Sequence, residues 1–396
     1  MPSPMELTLH ILSLIVLCGI TAGSLLALQL WLIPWGNRRA NRVLSLHLTN
    51  YVILAGAYVY YIEQAESAAG FHVVFSLQLL MGPLFYLYTR LLTDPGLGWR
   101  KQYLWHFLPA PLMALLWTLQ LPLSPDSPLN LACLNPDSCD LVYRSRFIHR
   151  LSVYLSMTAY SIASLWILRP YLQRIKESYS AIEEVNLNWL KTLIFIRLLA
   201  ILLAIGLEIR TLLVPDGWTP GALVSLSPLL LTLLMGWFGL KQRNIQLSEP
   251  VVDIGKPIGN MPKNQNAGKA EKKYQTSSLS PEKAKAIWQQ LQRTMEQQQP
   301  HLDLGLKIAD LAHMMNIPSH HLSEVMNGFA QQSFYDFINQ YRVDEAARLL
   351  KDPAQRHLSV TDIGLQAGFN SNSTYFSHFK KRFQLTPRQY RQQVQA

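Results

Sequence analysis

The stretch Asp362-Ile-Gly-Leu-Gln-Ala-Gly-Phe369, followed by Tyr375-Phe-Ser-His-Phe-Lys-Lys-Arg-Phe383, spells two short helices separated by a turn. Gly368 stops the first helix, and Asn370 and Ser371 supply caps for the second, expected over 372–383. Within that second helix Tyr375, Phe379 and Phe383 recur every four residues and mark a buried stripe. Asn372, Ser373, Phe376, Ser377 and Lys380 are left facing away from it. Amide and hydroxyl groups suit base edges in a major groove, an aromatic ring suits a thymine methyl, and a lysine suits phosphate.

The same pattern occurs upstream. Ile308-Ala-Asp-Leu-Ala-His-Met-Met-Asn316 reads as a helix and Ile317-Pro318-Ser319 as a turn, with Ser319 placed to cap a second short helix ending near Asn327. Leu322 and Met326 are its expected buried pair, and Ser319, His320, Ser323 and Glu324 its expected base-reading face. Glu324 either accepts from a cytosine amino group or is a solvated acid that weakens this half. Asn327, Asn370, Ser371, Lys380, Lys381 and Arg382 are the candidates for phosphate contact. His320 and His321 lack a nearby Cys or Asp partner and are read as groove-side residues, not metal ligands. A long helix over 334–350 joins the two units, with Arg342 and Arg348 read as structural. About 17 helical residues span roughly 25 Å, so the paired helices would enter successive major grooves of a bipartite site.

These runs resemble the DNA-binding domain of AraC/XylS transcription regulators. The resemblance covers 308–391 and rests on the two runs quoted first and on Thr386-Pro387-Arg388-Gln389-Tyr390-Arg391. It rests also on Phe337-Ile338-Asn339-Gln340-Tyr341-Arg342-Val343 with Ala346-Ala347-Arg348-Leu349-Leu350. Gln384 departs from the family, which usually carries Gly after that Phe. The resemblance implies a regulator that binds double-stranded DNA and activates transcription with RNA polymerase; no enzyme activity, cofactor or metal is expected. Its position behind an apolar block resembles a less common membrane-bound branch.

The rest of the chain obeys a different chemistry. Of 396 residues 49% are hydrophobic and 15% charged, against about 25% charged in soluble domains. The deficit is concentrated: 27 charged residues fall in the first 240 and 33 in the last 156. A single soluble enzyme, a secreted disulfide scaffold and a disordered chain are thereby excluded. Roughly 20 apolar residues cross a bilayer as a helix, and seven such runs are expected: 7–33, 43–62, 71–92, 103–121, 147–168, 190–214 and 221–240. The first has no basic residue before it and no small-residue cleavage site after it, so it reads as a retained span. Twelve basic residues fall on one side of this arrangement, and only Arg144, Arg146 and Arg150 on the other. The basic side is cytoplasmic, which puts the N-terminus outside and the C-terminal block inside a bacterial inner membrane.

The expected fold is therefore all-α: a seven-span sensor domain over 1–240, a flexible polar linker over 241–280, and a double helix-turn-helix domain over 281–396. Residues 171–190 read as a charged amphipathic helix that either touches the C-terminal block or lies on the membrane surface. Cys133 and Cys139, in an outside loop, form a small disulfide, or are two free thiols or a weak metal contact. Polar groups inside spans are functional candidates, and His47, Asn50, Gln78, His106, Arg197 and Glu208 make up an expected ligand site or internal polar network.

The leading reading is a one-component transducer: an unidentified small-molecule or extracytoplasmic signal shifts the spans, and the inner domain binds DNA. The alternative is a transporter or ligand-binding membrane protein with a merely anchored DNA-binding domain. No inverted repeat supports transport, and no P-loop, HExxH or GxSxG supports an enzyme. A net charge of +3 over 280–396 argues for a homodimer or for local concentration at the membrane.

Overall fold

A helix satisfies its backbone polar groups within one segment, which makes it the natural form for long apolar runs. The computed structural model describes residues 4–63, 73–94, 96–98, 100–120, 140–183, 185–213, 221–242 and 279–395. The apolar part carries α1 (Pro4–Leu32), α2 (Arg38–Glu63), α3 (Met81–Thr93), α4 (Pro109–Gln120), α5 (Asp140–Ser178), α6 (Asn188–Leu213) and α7 (Gly221–Lys241). Four helices are long and apolar enough to cross a membrane, over Ser13–Leu32, Arg38–Tyr60, Phe147–Ser178 and Asn188–Arg210. A shorter apolar helix covers Pro228–Lys241.

The runs expected at 71–92 and 103–121 do not form single long helices. A 3-10 segment, Ser76–Leu80, precedes α3, and another, Lys101–His106, precedes α4. Proline accounts for both. Pro83 has no N–H to offer the carbonyl of Leu79, and Pro109 and Pro111 are tolerated only in the opening turn of α4.

By its contacts the chain divides into two units: Met1–Tyr171 with Leu187–Asn244, and Leu172–Asn186 with Ile245–Ala396. In the first, Val16, Tyr51, Leu54, Val59, Met81 and Leu229 form one core cluster. The Ser45 hydroxyl donates to the carbonyl of Ala27 at 2.7 Å, tying α2 to α1. Leu14, Leu25, Leu28, Leu199, Leu202 and Leu203 are exposed, so the outer faces of α1 and α6 are apolar as well. Helices apolar all round are buried in a large core or in lipid. Most of the expected linker, 243–278, lies outside the described residues, as do Cys133 and Cys139.

The second unit contains α8 (Pro281–Gln297), α9 (Ile308–Met314), α10 (Ser319–Val325), α11 (Phe334–Lys351), α12 (Val360–Gln366), α13 (Asn372–Phe383) and α14 (Pro387–Gln395). Caps set their starts: Ser280 accepts from Lys283 N–H, Ser333 from Asp336 N–H and Ser371 from Thr374 N–H. Ser359 and Asp362 cap each other's backbone N–H in a capping box. Ser319 does not cap α10; it is the first helical residue, and Pro318 holds the cap position without a side-chain bond.

The long helix α11 serves two cores. Its first half, with Phe334, Phe337 and Ile338, packs with Leu291, Leu311, Leu322 and Met326. Its second half, with Val343, Ala346 and Leu350, packs with Ile363, Phe369, Tyr375 and Phe379. Residues 171–190 are not one helix. α5 ends at Ser178, Tyr179 pairs with Lys307 in an isolated antiparallel bridge, and Ser180 N–H donates to Leu306 O at 3.1 Å.

Candidate nucleic-acid interface

The two helix-turn-helix units are built on one local plan. In the first, Ile317 N–H reaches back to Ala312 O at 3.0 Å across Asn316, whose φ is 54°. In the second, Phe369 N–H reaches back to Gly364 O at 3.0 Å across Gly368, whose φ is 92°. This left-handed residue with its long backward bond is the helix stop that glycine and asparagine favour. Gly368 is required for space as well, since a Cβ there would run into the carbonyl of His301. A Cβ at Gly364 would come within 2.5 Å of the Tyr375 ring, so the close crossing of α12 and α13 depends on its absence.

On α13 the buried stripe is Tyr375 and Phe379, with Phe383 partly buried against them. Burial holds the Tyr375 hydroxyl above its ordinary pKa. Asn372, Ser373, Phe376, Ser377, Lys380 and Lys381 are all exposed on this helix, and Asn370 is exposed just before it. Ser371 is occupied as the N-cap. Arg382 is exposed but turned toward Asp344 of α11 at 3.4 Å. On α10, Ser319, His320 and the following Asn327 are exposed, Ser323 and Glu324 are half-buried, and Leu322 and Met326 are buried.

A second constellation lies between the two cores, around Arg342. This side chain is 1% exposed. Its guanidinium donates to His301 O at 2.8 Å, Asp303 O at 2.6 Å, Asn339 Oδ1 at 3.3 Å, Ser180 O at 3.1 Å and Ser180 Oγ at 2.9 Å. Burial lowers its pKa to about 10, so it stays cationic at neutral pH. Beside it, the Glu183 carboxylate accepts from the Thr374 hydroxyl on α13. Residues 180–183 therefore touch the turn before α9, the middle of α11 and the first turn of α13. Sequence reasoning missed Ser180, Glu183 and Asn339. The available signal was Arg342 itself, a charge on the apolar face of α11 four residues from Ile338 and from Ala346.

The polar residues of the apolar unit do not gather into one network. Asn50 Nδ2 donates to Leu77 O at 3.1 Å, and His106 Nδ1 lies 2.8 Å from the Tyr160 hydroxyl. Glu208 pairs with Arg150 of α5 at 3.3 Å rather than with Arg197. Gln78 is half-buried in the 3-10 segment before α3. His47 and Arg197 do come together, on the wall of one cavity.

A helix-turn-helix domain family model matches residues 311–393. The chain is 31% identical over 88 residues to a probable transcription factor, PqrA, of Proteus vulgaris, covering 22% of this chain and 70% of that one. It is 30% identical over 89 residues to the melibiose operon regulatory protein of Escherichia coli K12, and 27% over 94 residues to the regulatory protein PocR of Salmonella typhimurium. These matches cover 22% and 24% of this chain, and 28% and 30% of those relatives. No solved structure matches the chain. The duplicated turn geometry and these relatives agree: through its C-terminal unit, the chain belongs to the AraC/XylS family of helix-turn-helix transcription regulators.

Proposed function

We propose that this chain is a membrane-embedded one-component regulator. A seven-span domain over 1–240, with its N-terminus outside, senses a signal. A cytoplasmic domain over 281–396 binds a bipartite DNA site and activates transcription with RNA polymerase. The four long apolar helices, the shorter one at Pro228–Lys241 and the apolar outer faces support the membrane assignment. On this reading the proline-broken runs that contain α3 and α4 supply the remaining two spans, since broken helices are tolerated at membrane depth where protein covers them.

The observation that carries the transducer reading is the set of Arg342 bonds to Ser180. The segment Leu172–Asn186 joins α5 to α6, two of the apolar helices, yet it packs as part of the DNA-binding unit. A shift of either helix would pull on a segment that touches both helix-turn-helix halves. Two discrete arrangements of such an element are what coupling between distant sites requires. Asn372, Ser373, Phe376 and Ser377 read bases in one half-site, and Ser319, His320, Ser323 and Glu324 in the other. Lys380, Lys381, Asn370 and Asn327 meet phosphates, with Ser371 and Arg382 at the edge of that set. α11, 18 residues long, spans about 27 Å, and α10 and α13 pack against its opposite halves, which suits a site whose halves lie about 34 Å apart.

The test is a map of DNA occupied by the full-length protein in its host, with an Asn372→Ala, Ser373→Ala, Ser377→Ala triple variant as control. Discrete sites lost in the variant support the reading. The absence of such sites under every growth condition overturns it.

A further inference from the structure

The apolar unit holds a cavity of about 80 Å³, lined among others by His47, Phe85, Tyr154, Arg197, Thr232 and Met235. A single water needs about 10–15 Å³ of such space, so the cavity has room for a small ligand group. Two nitrogens on its wall stand out. His47 is 2% exposed, and its Nδ1 has no hydrogen-bond partner among the described residues. Arg197 Nη2 is likewise buried and without a hydrogen-bond partner there. Phe85 lies between them: the guanidinium carbon sits 4.7 Å from its ring centroid, and the His47 ring 6.4 Å from it.

Among the described residues no Asp or Glu lines the cavity. Glu208, the acid on the same helix as Arg197, is taken by Arg150. The guanidinium thus has an aromatic face for company but no carboxylate among the described residues. A cation–π contact offsets only part of the cost of burying a charge, and buried cations are ordinarily paired. His47 lies nine residues from the start of α2, Arg197 nine from the start of α6, and Thr232 nine from the end of α7. At 1.5 Å per residue each is about 14 Å along its helix, near the middle of a hydrocarbon core about 30 Å thick.

We propose that this cavity is a binding site for a carboxylate that carries an apolar chain. The guanidinium supplies the countercharge, Nη2–H and the His47 Nδ1–H donate to the two carboxylate oxygens, and the apolar wall takes the chain. One guanidinium balances one carboxylate, whereas a phosphate dianion would leave charge unmatched. The proposal rests on the reading of these helices as a sensor in the membrane, and it names the chemistry of what that sensor takes.

The experiment is equilibrium binding of four probes to full-length protein in phosphatidylcholine nanodiscs: octanoate, palmitate, octanol and octyl phosphate. The expected result is saturable binding of an acid, with octanol about tenfold weaker or worse, as the loss of a charged hydrogen bond requires. Preference for octanoate marks a ligand drawn from water, and preference for palmitate one drawn from the bilayer. Arg197→Gln should lose acid binding by about tenfold or more, while Arg197→Lys, which keeps the charge, should retain much of it. Equal binding of alcohol and acid, undiminished binding by a helical Arg197→Gln protein, tighter binding of octyl phosphate, or no acid binding would each overturn the proposal. A bound acid that leaves DNA occupancy unchanged would overturn the sensor reading and leave the site standing.

Discussion

Arg342 donates to both the carbonyl and the hydroxyl of Ser180, two residues 162 positions apart in the chain. The same guanidinium satisfies His301 O and Asp303 O, so removing it orphans several buried acceptors at once. Arg342→Met is expected to destabilise the C-terminal unit by about 3 kcal/mol. Ser180→Ala, which removes one acceptor and leaves the carbonyl, is expected to cost about 1 kcal/mol. Amide hydrogen exchange of α11 in the full-length protein measures both.

Removing a glycine at 364 and adding one at 384 should have opposite signs. Gly364→Ala drives a methyl into Tyr375 and is expected to cost about 1–3 kcal/mol. Gln384 ends α13 with φ 57°, a left-handed conformation that a side chain disfavours. Gln384→Gly is therefore expected to stabilise by up to about 1 kcal/mol. Pulse proteolysis in urea should shift the midpoint down for the first and up for the second.

Acid is expected to weaken the C-terminal unit through its histidines. Burial lowers the pKa of both His301 and His378 below the ordinary 6.5. Below pH 6.5 the unfolded chain takes up protons that the folded chain resists. The stability from these groups is full above that value and falls as pH drops below it. Pulse proteolysis midpoints should decline from about pH 7 to 5, and His301→Asn should flatten that decline.

Salt dependence should separate the cations of α13. Lys380→Ala is expected to lower the slope of log binding constant against log salt by about one on every DNA sequence. Arg382→Ala should change it less, because Arg382 already pairs with Asp344. Ser377→Ala should instead relax preference at one base position, at a cost of about 1–3 kcal/mol. Binding titrations over a range of salt concentrations distinguish the three.

The duplicated helix-turn-helix was legible because it is local. The cap at Ser371, the stop at Gly368 and the four-residue recurrence of Tyr375, Phe379 and Phe383 all act within a few turns of helix. Gln384, which stands where the family usually carries Gly, is the residue that takes the left-handed turn. The clasp at Ser180 was not, because nothing near residue 180 in sequence announces a partner at 342. Hydropathy found the apolar runs, and Pro83 and Pro109 were the local signal that two of them are broken. Spacing put Glu208 and Arg197 near one face of α6, but the partner of Glu208 lies on a different helix.

The Leu172–Asn186 segment also orders events during synthesis. It leaves the ribosome long before α8 through α14, and it is flanked by two apolar helices destined for early withdrawal from water. Domains ordinarily fold as units, in order of emergence. Here the last unit made must recover a piece of itself from the first. A nascent chain whose α5–α6 connection is misplaced would yield a C-terminal unit with an empty seat beside Arg342, so that an error in the first unit made shows itself in the last.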